Sequence, residues 1–147
     1  MIEPIALHEV SQVAALIERA VRTSGMAADA EKEYFLENIR SNLELWQQNP
    51  GNALHLKFIR NGELVGVVMV KSFWNLCHLV VEPEYQKHGI GKALMEAALV
   101  ACRDRSPRKY VRLNSSRNAR KFYKRLGFTL VPDAPAAYAG VQYEFTF

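Results

Sequence analysis

The sequence predicts an α+β (α/β/α) domain built on a single mixed, mostly antiparallel sheet of about seven strands flanked by helices. Three observations lead there. Apolar residues recur at helical spacing in two stretches before residue 49, then fall into three consecutive strand-like runs between residues 53 and 81. A further helix and strand follow, and a strand–helix–strand crossover is right-handed, so the runs at 74–81 and 110–114 are expected to lie parallel. The composition, 49% hydrophobic and 23% charged over 147 residues, excludes disordered, collagen-like and fibrous classes. Residues 1–147 read as one domain, long enough to bury a core.

Residues 2–6 form a short strand. Val10, Val13, Ala14, Ile17 and Val21 then mark one face of a helix near residues 9–22, which ends at Thr23-Ser24-Gly25. A second helix, about 29–48, carries Leu36, Ile39, Leu43 and Trp46 on one stripe and stops before the breaker cluster Asn49-Pro50-Gly51. Strands at 54–60 and 63–70 are joined by Asn61-Gly62, two residues that tolerate the positive φ angles of a type I′ hairpin turn. The helix at 93–102 is apolar almost all round apart from Glu96, which predicts burial across a sheet. Ala119, Phe122, Tyr123 and Leu126 sit at i, i+3, i+4 and i+7 of a short helix, with Ser115 or Ser116 as N-cap and Gly127 as its stop. Residues 128–131 and 141–147 close the sheet as an antiparallel pair around the loop at 132–140. No internal repeat or low-complexity tract interrupts this order.

The 19 Lys+Arg against 15 Asp+Glu leave a net charge of +4, which admits an anionic ligand but is too mild to argue for nucleic acid. The two cysteines, Cys77 and Cys102, stand in apolar surroundings without a CxxC pair and read as buried free thiols. No run approaches the roughly 18 apolar residues of a membrane span, and the start lacks the basic and apolar regions of a signal peptide. A cytoplasmic location with no membrane partner is the expectation.

The informative segment runs from Leu79 to Leu94: an apolar strand, a loop with Gly89 and Gly91 close together, then a helix start. Glycines let backbone approach a ligand, and the free amides and dipole of a first helical turn favour an anion. A phosphate-bearing ligand fits, although a plain helix-entry turn would use the same residues. The segment lacks the spacing and Gly-Lys-Ser/Thr ending of a P-loop and the third glycine of a dinucleotide fingerprint.

Gln86-Lys87-His88-Gly89-Ile90-Gly91, led by Val81, Pro83 and Tyr85, resembles the Gln/Arg-x-x-Gly-x-Gly/Ala acetyl-coenzyme A signature of the GNAT acetyltransferase superfamily. The stretch from Ser115 to Phe128, with Ala119, Phe122, Tyr123, Gly127 and Phe128, is similar to that family's second block, in the expected order and spacing. The resemblance covers nearly the whole chain. It implies a GNAT-like sheet whose fourth and fifth strands splay around acetyl-coenzyme A as cosubstrate, with no metal. It also implies that Leu79, Val80 and Val81 pair with the pantetheine arm. The amides of Lys87, His88, Gly89, Ile90, Gly91, Lys92 and Ala93, entered through Gln86, would cradle the pyrophosphate, and Asn114 and Asn118 would flank the far side of the cofactor.

The activity implied is N-acetyl transfer to a primary amine of a small molecule or peptide by direct attack on the thioester. Tyr123 matches the family tyrosine that protonates the departing sulfur; otherwise it belongs to the apolar stripe of its helix. An alkyl ammonium of pKa about 10.4 leaves roughly one molecule in 2,500 as a nucleophile at pH 7, a deficit of about 4.6 kcal/mol, so the proton needs help to leave. The family's Glu or His on the fourth strand corresponds here to Asn75 and Cys77, neither of which is a base. The order of candidates is a water held by Asn75 or backbone, then His78, then Glu33 or Glu37. Strand alternation points His78 to the face opposite Asn75 and Cys77 unless a bulge, frequent in this family at that place, reverses the parity. His78 equally suits a core histidine, and the glutamates a solvated helix face.

The acceptor is expected against the first two helices, the hairpin after Val70 and the loop before Val141. Trp46, Trp74, Tyr34 and Tyr138 either line it or fill core. Glu31, Glu33 and Glu37 favour a cationic amine, while Lys32 and Arg40 offset them. The other classes are a non-catalytic acetyl-coenzyme A sensor or recruiting module, and a nucleic-acid binder drawing on Arg117, Arg120, Lys121, Lys124 and Arg125. Those five read as the solvated face of an amphipathic helix, so no nucleic-acid partner is expected. A homodimer is the candidate assembly. The positive charge is placed instead at Lys87, His88 and Lys92, facing a small anionic cofactor.

Overall fold

Asn61 and Gly62 take φ angles of 53° and 78°, the left-handed pair that a tight hairpin needs, and from this turn the sheet grows outward. The computed structural model describes residues 1–24, 28–132 and 141–147. Its elements are β1 (Ile2–Pro4), α1 (Val10–Thr23), α2 (Asp29–Gln48), β2 (Ala53–Arg60), β3 (Glu63–Lys71), β4 (Asn75–Val81), α3 (Ile90–Arg103), β5 (Tyr110–Ser115), α4 (Arg120–Arg125), β6 (Thr129–Leu130) and β7 (Val141–Thr146). The seven strands form one sheet in the order β1-β2-β3-β4-β5-β7-β6. Every pairing is antiparallel except β4 with β5, as the crossover requires.

Two apolar layers sandwich the sheet. On one face Ile90, Leu94, Met95, Ala98 and Cys102 of α3 pack with Leu54, Val68, Val70, Leu76 and Val111, and Tyr123 of α4 joins them. On the other, Val13, Leu16 and Ile17 of α1 and Leu36, Ile39, Leu43 and Trp46 of α2 cover Val67 and Met69 of β3. As its apolar sequence predicts, α3 is buried by packing across the sheet, through one side of the helix. Glu96 and Val100 are exposed, Val100 at 77%, because a single sheet covers only one side of the helix. Ser115 and Ser116 were the expected N-caps. Ser115 is the last residue of β5, and Ser116 precedes a short 3₁₀ turn without capping it through its side chain. The α3 contact is closest at Gly66, where an added Cβ would meet Leu94 Cδ1 at 2.9 Å and Ile90 Cγ2 at 3.0 Å.

The β3–β4 register slips between Met69 and Val70: Met69 pairs with His78 and Val70 with Leu76, so Cys77 is an extra residue in β4. Residues paired across a sheet share a face. His78 therefore follows Met69 onto the α1/α2 side, where Cys77 also packs. Sequence alternation had sent His78 to the opposite face from Asn75 and Cys77. The bulge overturns this and puts all three on one side.

His78 completes an unusual patch of core. His55 of β2 pairs with Met69, which pairs with His78, and the two imidazoles meet edge to face at 5.8 Å beneath the Trp46 ring, 4.5 Å from His55. Both are buried, and none of their four ring nitrogens has a hydrogen-bond partner among the described residues. Burial, with His78 as its neighbour, lowers the His55 pKa to about 3, and burial alone lowers that of His78 to about 4.

Two expectations follow. Gly66→Ala should cost about 1–3 kcal/mol through overpacking against α3, read as a lower urea midpoint; an unchanged midpoint contradicts the close approach. Unfolded histidines titrate near 6.5 while these two stay neutral to about pH 4. Stability is therefore unaffected by them above pH 6.5 and falls as the pH drops from there toward 4, by up to about 1.4 kcal/mol per pH unit for each histidine. Replacing both by leucine should remove most of the fall in urea midpoint between pH 6.5 and 5; the same slope in the variant contradicts this.

Candidate functional site

β4 ends at Val81, and the chain reaches α3 through a short 3₁₀ turn, Pro83–Tyr85. The Gln86 side-chain amide donates to the Val81 carbonyl oxygen at 3.1 Å, folding the loop back on its own strand. Lys87 and Gly89 then turn through φ angles of 65° and 81°, the second at no steric cost because glycine has no Cβ. The first intrahelical bond of α3 runs from the Ala93 amide to the Gly89 carbonyl oxygen. The amides of Ile90, Gly91 and Lys92 precede it and point out of the helix end.

Those amides face a groove of about 650 Å3 between this loop and α4. Val81 and Tyr85 stand on one side and Phe122 and Leu126 on the other, while Lys87, Lys92 and Arg125 supply three cations. No carboxylate is among the described lining residues. A Cβ on Gly91 would stand 3.6 Å from Phe122 and 3.8 Å from Val81, so the bare glycine sets the width of the groove. Unpaired amides at a positive helix end, three cations and apolar walls suit a ligand with a diphosphate and a hydrophobic arm. Arg125, which the sequence placed on a solvated helix face, belongs to this groove; the i+3 step from Phe122 was the signal that it shares that side.

Beyond the groove the sheet opens. β4 and β5 are in register only at Asn75 and Arg112, reinforced by the Arg112 amide donating to the Trp74 carbonyl oxygen at 2.7 Å. Leu79 and Val81 turn their side chains to the α3/α4 core and Val80 to the α1/α2 side. On the far strand Asn114 is exposed, as are Asn118 beyond it and His88 in the loop. Arg19 of α1 grips the Glu82 carboxylate with two hydrogen bonds, 2.8 and 3.1 Å, tying the helical cover to the end of β4.

Tyr123 lies between Phe122 and Phe128, ring centroids 5.1 and 5.6 Å away, in the core that also holds Leu79 and Val81. Burial pushes its phenol pKa well above the usual value, so the hydroxyl stays protonated at any working pH.

On the α1/α2 face the half-buried Asn75 sits at the point of divergence. The Cys77 thiol donates to the Asn75 carbonyl oxygen at 3.6 Å, and burial raises its pKa, as it raises that of Cys102 to about 12. Both stay neutral thiols. Glu33 is engaged by Arg22 at 2.8 Å and Glu37 is exposed on α2. Trp46 is core rather than lining, Trp74 is half-buried under the Arg108 guanidinium at 4.0 Å, and Tyr34 is exposed. Tyr138 falls outside the described residues. Asn75 also has neighbours, Lys71, Arg112 and Glu144, that the sequence does not mark as site residues. Lys71, Asn75, Arg112 and Glu144 are successive cross-strand partners on β3, β4, β5 and β7, forming a polar row across the divergence. Alternation with the buried Val111 and Leu113 was the available signal for Arg112.

Among the described residues no three His, Cys, Asp or Glu side chains cluster to hold a metal, and no helix is long and apolar enough to cross a membrane. Solved structures share this architecture. The paiA N-acetyltransferase of Thermoplasma acidophilum, in complex with coenzyme A, matches with a TM-score of 0.80 at 18% identity over 100% of this chain and 98% of its own. The ribosomal-protein-alanine N-acetyltransferase of Brucella melitensis gives 0.71 at 16% identity, covering 100% and 99%. A GNAT-family acetyltransferase of Staphylococcus aureus gives 0.72 at 17% identity, covering 99% and 98%. These likenesses are of fold, and no curated protein matches the sequence. The model of the acetyltransferase (GNAT) domain matches residues 17–143, most of the chain. With the parallel, diverging β4 and β5 and the amide-lined groove beside them, this match makes the chain a member of the GNAT acetyltransferase family.

Proposed function

We propose that the protein is an N-acetyltransferase that moves the acetyl group of acetyl-coenzyme A to a primary amine. The observation that carries this reading is the groove itself: free amides of α3, three cations and no carboxylate among its described residues, walled by Val81 at the end of β4, the strand that parts from β5. A diphosphate fits the amides from Lys87 to Lys92, the Ala93 amide being taken by the Gly89 carbonyl oxygen, and an extended amide-bearing arm fits the β4 edge at Leu79, Val80 and Val81. Asn114 near the end of β5 and Asn118 in the turn that follows are exposed, and in this reading they flank the far side of the cofactor. Acetyl-coenzyme A supplies an activated acyl group, so the residues of the chain have only to align an amine and manage two protons.

The first proton goes to the departing thiolate, and Tyr123 is the donor in this reading. Its buried phenol is kept protonated by its surroundings and stands in the core that walls the cofactor side of β4. The second must leave the attacking ammonium. His78 shares the acceptor face, but it is sealed beneath α2, and an imidazole of pKa about 4 is a poor match for an ammonium near 10.4. We therefore assign the proton to a water held by Asn75 at the divergence. A cytoplasmic setting, with the amine and acetyl-coenzyme A as the working partners, accords with this chemistry.

Binding without turnover is the competing reading, because among the described residues no unpaired side-chain base stands at the divergence, the Glu144 carboxylate there being held by Arg112. Release of coenzyme A with a panel of primary amines separates the two. The expected result is amine-dependent release, reduced on the order of 100-fold in kcat by Tyr123→Phe at saturating cofactor. Tight coenzyme A binding with no release for any amine supports a sensor, and full turnover in the variant removes Tyr123 from the chemistry.

A further inference from the structure

The polar row across the divergence has a charge imbalance. Arg112 donates to Glu144 Oε2 through Nε at 3.1 Å and through its terminal nitrogen at 2.7 Å, so these two charges satisfy each other. Lys71 has no such partner: among the described residues it makes no ion pair, and its ammonium donates only to the Asn42 side-chain oxygen, at 3.4 Å. Lys71 is half-buried and Asn42 buried, so this hydrogen bond ties the lysine side chain to α2. A cation drawn out of water without a counter-charge is unfavourable, and an anion arriving there is stabilised.

Among the described residues no unpaired negative charge stands beside it, since the Glu144 carboxylate in the same row is taken by Arg112. His55 and His78 are buried without hydrogen-bond partners among the described residues and Cys77 is a thiol on the same face, so none of them neutralises the lysine. The carboxylates of α2 do not serve either: Glu33 is already paired with Arg22, Asp29, Glu37 and Glu44 are exposed, Glu31 is half-buried, and none of the five forms an ion pair with Lys71. A bare cationic amine, which the α2 glutamates had suggested, would meet an uncompensated positive charge beside Asn75.

Neighbouring strands lie about 4.8 Å apart. Lys71 pairs directly with Asn75, so its side chain flanks the point of divergence by one strand. An anionic group one or two carbons from the reacting nitrogen spans that offset. We propose that the acceptor is an amine bearing a carboxylate close to its nitrogen, an amino-acid-like molecule, and that Lys71 is the residue that selects it. This rests on the N-acetyltransferase reading above. Lys71 acts in binding: its ammonium takes the carboxylate, leaving the amine at the opening between β4 and β5.

The test compares L-amino acids, their amides and their decarboxylated amines as acceptors, with coenzyme A release as readout. The expected preference in kcat/KM is at least tenfold for the free acids. Lys71→Met should raise KM for the acids at least tenfold more than for the amides, with kcat little altered, and Lys71→Arg should restore most of the preference. Wild-type enzyme that uses amides or decarboxylated amines as well as the acids overturns this selection while leaving N-acetyl transfer intact. So does a Lys71→Met variant that loses both series equally. Absence of release with every amine fails both readings together.

Discussion

The structure turns on two strands that meet once and then part. β4 and β5 are parallel and register only at Asn75 and Arg112. Backbone polar groups in a sheet are normally paired, and leaving a strand edge open has to be compensated by water or by a ligand. The remaining architecture keeps that opening in place. α3 presses on β3 at Gly66, where there is no room for a Cβ, and β7 pairs with β5 along its whole length from Tyr110 to Ser115. Each diverging strand is thus fixed on its far side, and the gap between them is held by packing instead of by direct contact.

The bulge at Cys77 is the second feature that shapes β4. One extra residue in β4 puts Cys77 and His78 on the same face and turns His78 under α2 beside His55. The imidazoles stay neutral because they are buried, and none of their four ring nitrogens has a hydrogen-bond partner among the described residues. The same face carries the polar row from Lys71 to Glu144. The sheet thereby divides the labour: apolar walls, free amides and cations on the α3/α4 side, and a charge pattern suited to an acceptor on the other.

Much of this was legible in the residues. Helical stripes gave α1 and α2 nearly to the residue, Asn61-Gly62 gave its hairpin, and the two glycines after β4 marked the loop in front of α3. What escaped was set by tertiary context. Ser72 and Phe73 both take positive φ, 55° and 63°, in the β3–β4 turn, and neither residue type signals such a turn. Phe73 is held there by burial and by the Arg105 guanidinium 3.9 Å over its ring. The side on which His78 falls depended on a bulge that alternation cannot register. The row of Lys71, Arg112 and Glu144 joins residues far apart in sequence, and only the strand order β3-β4-β5-β7 makes them neighbours. The placement of β7 between β5 and β6 was likewise invisible to local pattern.

The central claim is that the open edge of β4 and the first amides of α3 together receive one extended, diphosphate-bearing ligand. Amide hydrogen exchange of the intact chain, with and without coenzyme A, addresses it most directly. Slowed exchange confined mainly to residues 79–81 and 87–93 is the predicted result. Unchanged exchange in both segments at saturating coenzyme A, or protection elsewhere in the chain alone, would contradict it.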